Sequence, residues 1–266
     1  MPRAPGSREV RTALLGDIHA NLPALEAVLA DIDGREDIDA VYHLGDLVGY
    51  APWPNEVVAL LRERGVAGVA GNYDSTTATD YEHCGCRYED PRQEELSHES
   101  YAWTRAHVMS ETKRWLGGLP FRIDLRPRGG HAAGPRLILV HGNPVLNTVY
   151  WTEDRSDRFC LEMAGHLGAR AGDMIAFGHT HRPWHRAIES IHFVNAGSVG
   201  RPKDGDWRAG YAVVEIADGD PGVEFVRVEY DLDRAMAGIH ESDLPDDFAD
   251  FLEMGGLPKQ GVADAG

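Results

Sequence analysis

Seven side chains with the chemistry of metal ligands occur in five short pieces of this chain: Asp17-Ile18-His19, Gly45-Asp46, Gly71-Asn72, His141-Gly142 and Gly178-His179-Thr180-His181. Aspartate and histidine together suit borderline divalent ions, and Asn72 adds a neutral amide oxygen. Two divalent ions need about seven protein ligands if one is shared, with open positions left for water. Asp46 can be the shared ligand because a carboxylate has two oxygens, and Gly45 before it lets the backbone turn sharply. Asp17 and His19 lie two apart, as do His179 and His181; on an extended strand end that spacing puts both side chains on one face. Singly, most of these residues read otherwise: Asp17 as a turn or helix-cap residue, Asn72 as a turn residue, any one histidine as a solvated side chain. Five pieces in this order, each just after an apolar run, point instead to a dinuclear metal centre.

The apolar runs define the elements that must position those residues. Val10 to Leu15, Ala40 to Leu44 and Val66 to Ala70 read as buried strands, and Leu22 to Ile32 and Glu56 to Arg64 as the helices between them. This β-α-β-α-β alternation predicts a parallel sheet whose ligands lie beyond the carboxyl ends of its strands. Arg136 to Val140 then delivers His141, Asp157 to Leu167 reads as a helix, and Asp173 to Phe177 delivers Gly178 to His181. Between these halves, residues 74–93 read as a polar, lid-like loop and Glu94 to Leu116 as one long helix, so that 74–120 forms a cap-like excursion. Ile191 to Val194, Tyr211 to Ile216 and Val223 to Tyr230 follow with turn signals alone between them, which predicts an antiparallel second sheet. Residues 234–266 read as an acidic, partly disordered tail with one short helix at Asp246 to Met254.

The chain has 266 residues and a net charge of -17, with Asp and Glu outnumbering Lys and Arg by 43 to 26. That balance repels polyanions, so stable nucleic-acid binding is not expected, and it argues against an anionic membrane as partner. Small phosphorylated substrates stay open, because metal ions invert the local field. There is no signal-peptide pattern and no membrane-length apolar run, and three cysteines (Cys84, Cys86 and Cys160) fit a reducing compartment, so a cytoplasmic location is expected. Cys84-Gly85-Cys86 beside His83 lacks zinc spacing and reads as loop thiols.

In these pieces the chain resembles the calcineurin-like metallophosphoesterases, whose pattern D-x-H, G-D, G-N, H and G-H-x-H it follows in order. More narrowly it is similar to a small bacterial and archaeal branch, through Asp17-Ile-His-Ala-Asn-Leu-Pro, Gly45-Asp-Leu-Val-Gly-Tyr and Asn195-Ala-Gly-Ser-Val-Gly-Arg-Pro. The resemblance implies an α/β fold, a four-layer α-β-β-α sandwich of two mixed sheets flanked by helices, as one domain over residues 9–233. It implies one ion on Asp17, His19, Asp46 and His181 and a second on Asp46, Asn72, His141 and His179, with a bridging hydroxide attacking the phosphorus of a small phosphoester. Manganese, iron, zinc, cobalt and nickel all suit such ligands.

Two positions depart from the pattern. Many relatives carry a histidine after Gly-Asn that donates a proton to the leaving group, and many phosphoprotein phosphatases an aspartate that orients it. Tyr73 and Gly49 stand at those positions here. Asn72 and Tyr73 are thus the catalytic candidates: Asn72 because its amide NH2 can hold a phosphate oxygen, Tyr73 as a proton donor or as a pocket wall. An unperturbed tyrosine, with a pKa of about 10, is a poor general acid at neutral pH. Good leaving groups should then react best, which favours a phosphodiesterase. The alternatives are a phosphomonoesterase acting on small metabolites and a non-catalytic metal-binding scaffold. Asn195 to Gly200 reads as a tight turn that supports the G-H-x-H piece.

Overall fold

Side chains in the strand Val10–Leu15 (β1) alternate between two cores: Leu14 faces one, Ala13 and Leu15 the other. A strand buried on both faces reads as a continuous apolar run, which is why it was legible. The structure is a computed structural model and describes residues 10–85, 90–126, 134–216 and 221–257. β1 pairs in parallel with β2 (Ala40–His43), which pairs in parallel with the short β3 (Ala67–Gly68). On its other side β1 pairs antiparallel with β9 (Ala209–Ile216), and β9 with β10 (Gly222–Val228), giving the order β10-β9-β1-β2-β3. The second sheet runs β4-β5-β6-β8-β7, from Ile123–Leu125, Leu137–Leu139, Met174–Phe177, Ile191–Asn195 and Trp184–Ile188. Its inner strands β5, β6 and β8 are parallel, and β4 and β7 are antiparallel edges.

The sheets bury their facing sides against each other, Leu14, Leu44, Ala212 and Val214 meeting Leu137, Leu139, Ala176 and Val194. The outer face of the first sheet is covered by α1 (Leu22–Asp33) and α2 (Pro54–Glu63), through Leu25, Val28 and Leu61. α6 (Asp157–His166) covers the second through Cys160, Met163 and Ala164. The result is the expected four-layer α-β-β-α sandwich of two mixed sheets. Among the described residues no helix is long and apolar enough to cross a membrane.

The late strands do not form the separate antiparallel sheet that their spacing predicts. β8 inserts in parallel beside β6, while β9 and β10 extend the first sheet. β9 is buried on both faces along nearly its whole length, which suits a strand inside a sandwich rather than one with a solvated side. The helix expected over 94–116 is two, α4 (Pro91–His107) and α5 (Ser110–Leu116). Val108 is extended, and Asn55 satisfies both helix ends: its Nδ2 donates to the His107 carbonyl at 3.0 Å, and its Oδ1 accepts from Met109 N at 2.9 Å. The loop expected over 74–93 opens instead as α3 (Asn72–Ala78). Cys86 lies outside the described residues.

The described part of the segment read as a tail carries two helices rather than one. Within residues 232–257 lie α7 (Leu232–His240) and α8 (Asp247–Glu253), the latter where the short helix is expected. Ile239, Phe248, Ala249 and Leu252 join the buried cluster that contains Tyr50. The remainder of that tail, 258–266, lies outside the described residues.

Candidate metal centre

Every ligand candidate lies within four residues beyond a strand end: Asp17 and His19 after β1, Asp46 after β2, Asn72 after β3, His141 after β5, His179 and His181 after β6. Both sheets therefore contribute. Five of the seven do not have the extended backbone that the two-residue spacing suggests. Their φ angles are positive: Asp17 50°, His19 47°, Asp46 53°, His179 67° and His181 59°. Such conformations cost about 1–3 kcal/mol each and persist where the surroundings over-determine them. His179 and His181 do not share a cradle, whereas Asp17 and His19 do.

The ligand atoms of Asp17, His19 and His181 lie within 4.8 Å of one another, and so do those of Asp46, His141 and His179. Asn72 belongs with the second group, its Oδ1 being 3.1 Å from His141 Nε2. Asp46 Oδ2 is 3.4 Å from His141 Nε2 and 3.8 Å from His19 Nε2, so this carboxylate stands between the cradles. None of the seven is more than 3 % exposed.

The histidines are aimed by their far nitrogens. Nδ1 of His19 bonds the Val48 carbonyl at 3.0 Å, that of His141 the Leu44 carbonyl at 2.8 Å, and that of His181 the Arg201 carbonyl at 2.6 Å. A carbonyl only accepts, so each Nδ1 carries a proton and each Nε2 is directed inward. His19 Nε2 and His181 Nε2 then face each other at 3.1 Å. Asp17 Oδ1 and His179 Nε2 are buried with no hydrogen-bond partner. Buried acceptors left unpaired are costly, and a cation in each cradle would satisfy all of them. The donor set fits two divalent ions.

The charges of these groups are strongly perturbed. Burial pushes the His19 and His179 pKa values down to about 3 and that of His181 well below its ordinary value. Neutral imidazoles are what a metal requires. Burial raises Asp17 to about 7, with His141 opposing and Asp46 assisting. Burial alone would lower His141, but the charge of Asp46 and its hydrogen bond raise it to about 9. Burial would likewise raise Asp46; the charge and hydrogen bond of His141, with His19, hold it below the usual carboxylate range.

Several supporting groups escaped the sequence reading. Asp74, fully buried in α3, accepts from the backbone N–H of Asp46 at 2.8 Å, Leu47 at 2.9 Å and Gly71 at 2.9 Å, tying two ligand loops together. Its position three residues after Gly71, the spacing of a helix cap, was the available signal. Asp46 Oδ1 accepts from Tyr73 N at 2.9 Å, and Asp17 Oδ2 from His179 N at 2.8 Å. The Asn195 to Gly200 turn lies where it was expected: Asn195 Nδ2 donates to the Gly178 carbonyl at 2.7 Å, and Ser198 Oγ to the Asp17 carbonyl at 2.7 Å. Asn72 Nδ2 donates to the Cys84 carbonyl at 3.1 Å, which commits one amide hydrogen and turns Oδ1 toward His141. The cavity at the centre is lined by His19, Asp46, His179 and His181 together with Tyr50, Tyr73, Tyr150 and Lys203. Tyr150 stacks on His179 with centroids 4.5 Å apart. Tyr150 and Lys203 come from loops and carried no sequence signal. The Tyr73 hydroxyl lies 3.4 Å from Ser97 Oγ, on α4.

Comparison with known proteins gives the same pattern. A family model described as the calcineurin-like phosphoesterase superfamily domain matches residues 10–219. An uncharacterized protein of Methanocaldococcus jannaschii is 31% identical over 264 residues, covering 91% of this chain and 97% of its own. The crystal structure of a metallophosphoesterase from Sphaerobacter thermophilus is similar with a TM-score of 0.69 at 28% identity, over 93% of this chain and 100% of that one. A hypothetical protein from Pyrococcus horikoshii shares the fold, with a TM-score of 0.77 at 23% identity over 93% of this chain and 99% of that one.

Proposed function

The chain belongs to the calcineurin-like phosphoesterase superfamily, and from that premise we propose that it hydrolyses small phosphoesters with two divalent metal ions, phosphodiesters being favoured. The observation that carries this reading is the pair of buried cradles with Asp46 between them and inward acceptors that lack partners. Asp17, His19, Asp46 and His181 would hold one ion, and Asp46, Asn72, His141 and His179 the other. When bound, such ions supply an acidified water as nucleophile and positive charge for the phosphoryl oxygens.

The protein's own part is to aim and exclude. The carbonyls of Val48, Leu44 and Arg201 fix the imidazole tautomers. Asp74 holds the Asp46 loop, and Tyr50, Tyr73 and Tyr150 wall the cavity. In this reading Tyr73 is a wall rather than a proton donor, because its hydroxyl is turned to Ser97. With no imidazole beside the leaving group, substrates with good leaving groups react best, which is the ground for favouring diesters. Cys160 is a buried free thiol, which suits a cytoplasmic setting.

The test is metal reconstitution followed by a phosphoester panel. The expected order places bis(p-nitrophenyl) phosphate well ahead of an alkyl phosphate monoester. Equal rates on the two would remove the diester preference. Two bound ions with no hydrolysis of any phosphoester would make the chain a metal-binding scaffold.

A further inference from the structure

We propose that Lys203 binds the substrate anion at this centre, its ammonium group holding a phosphoryl oxygen; the proposal deepens the phosphoesterase reading and rests on it. Four observations carry it. Among the eight residues that line the cavity, Lys203 alone carries a permanent positive charge. The cavity it lines is shared with His19 and His181 of one cradle and with Asp46 and His179 of the other.

The lysine is also held in place by its backbone. Its N–H points to the His181 carbonyl at 3.4 Å, and its carbonyl accepts from Arg182 Nε at 2.8 Å. The position is thus tied to the same turn that presents His179 and His181.

The third observation is the support from the C-terminal segment. After α8 the chain turns through Gly255 and Gly256 at φ 57° and 79° and packs against the loop that carries Lys203. A Cβ on Gly256 would lie 2.4 Å from the Pro202 carbonyl oxygen and 2.7 Å from Lys203 Cα. Gly205 N donates to the Gly255 carbonyl at 2.9 Å. Two residues before Lys203, the Arg201 guanidinium is stacked between Tyr50 and Phe251, at 3.9 Å and 3.8 Å from their ring centroids. The loop is clamped on both sides of the lysine.

The fourth observation is the charge balance. Asp17 and Asp46 place a carboxylate in each cradle, and Asp46 lines the cavity. A compact ammonium with three donors offsets them and can bond a phosphoryl oxygen directly.

The test is a calorimetric titration of the full-length, metal-loaded chain with inorganic phosphate, for wild type, Lys203→Met, Lys203→Arg and Gly256→Ala. Metal content is measured on the same samples. Lys203→Met should bind phosphate about 10- to 100-fold more weakly at unchanged metal content, as expected for the loss of a charge-assisted hydrogen bond. Lys203→Arg should recover part of that loss, and Gly256→Ala, which keeps the charge but displaces the loop, should weaken binding less. Equal phosphate affinity in wild type and Lys203→Met overturns the proposal. So does a wild-type chain that binds no phosphate, or a Lys203→Met defect confined to metal content. The titration needs no turnover, so a chain that hydrolyses nothing defeats the phosphoesterase reading and still leaves this result decisive.

Discussion

The ring of Tyr73 fills the space that a side chain at Gly49 would occupy. A Cβ built on Gly49 falls 2.6 Å from both Cδ1 and Cε1 of Tyr73, and Gly49 has φ 100°, where a side chain is strained in any case. These are the two positions at which the chain departs from the proton-donating pair seen in many relatives. The departures are one packing unit: the tyrosine requires the glycine. The Tyr73 ring also meets His19 edge-on at 5.5 Å between centroids, so the unit forms a wall of the first cradle.

Gly49→Asp alone should therefore destabilise the fold by about 1–3 kcal/mol through overpacking and backbone strain. Combined with Tyr73→His, which removes the outer part of the ring, it should cost less than the single change. Chemical denaturation of both single variants and the double gives the coupling; strict additivity would mean that the two positions do not share space.

Tyr73→Phe should keep turnover of aryl diesters within about threefold of wild type, because the hydroxyl contacts Ser97 and the ring is retained. A loss of about 100-fold that grows with leaving-group pKa would instead assign Tyr73 as the proton donor.

Asp74→Asn should lower metal affinity by about 10- to 100-fold without touching a ligand. The carboxylate receives three backbone N–H groups from the Asp46 and Gly71 loops, and an amide can serve only part of them. Competition with a chelator measures the effect, and unchanged affinity would show that the loops hold their shape alone.

His43 should make the fold sensitive to acid. It is fully buried, neither ring nitrogen has a partner, and burial lowers its pKa from 6.5 to about 3. Above pH 6.5 the ring is neutral in both states and contributes nothing to the pH dependence. As pH falls below that value the unfolded chain takes up a proton that the folded chain refuses, so stability falls by up to about 1.4 kcal/mol per pH unit. The decline should level off near pH 3. His43→Leu should show a shallower decline than wild type over this range; parallel curves would contradict the assignment.

The ligand set was legible because each residue follows an apolar run, plainest where the strand is buried throughout, as in Leu137–Leu139 and Met174–Phe177. Its geometry was not. Alternation along an extended strand would send His179 and His181 the same way, whereas both have left-handed backbone and lie in different cradles. Strand pairing was also hidden: nothing local in Ala209–Ile216 says that it lies beside Val10–Leu15, nearly 200 residues earlier. Composition misled at the C-terminus, where the acidic residues lie largely on exposed faces and mask the buried Ile239, Phe248 and Leu252.

Phe248 is 2 % exposed and meets Tyr50 edge-on at 5.4 Å. Phe248→Ala should cost about 3–5 kcal/mol, as for an aromatic in a packed core. A loose tail would tolerate the change within about 0.5 kcal/mol.

The central claim is that two ions act together in one centre. The most direct measurement strips the chain with a chelator, adds manganese back in measured equivalents, and follows hydrolysis of bis(p-nitrophenyl) phosphate. Turnover should be negligible without metal and should rise to saturation at two equivalents per chain. Saturation at one equivalent, or two tightly bound ions with no hydrolysis, would contradict it.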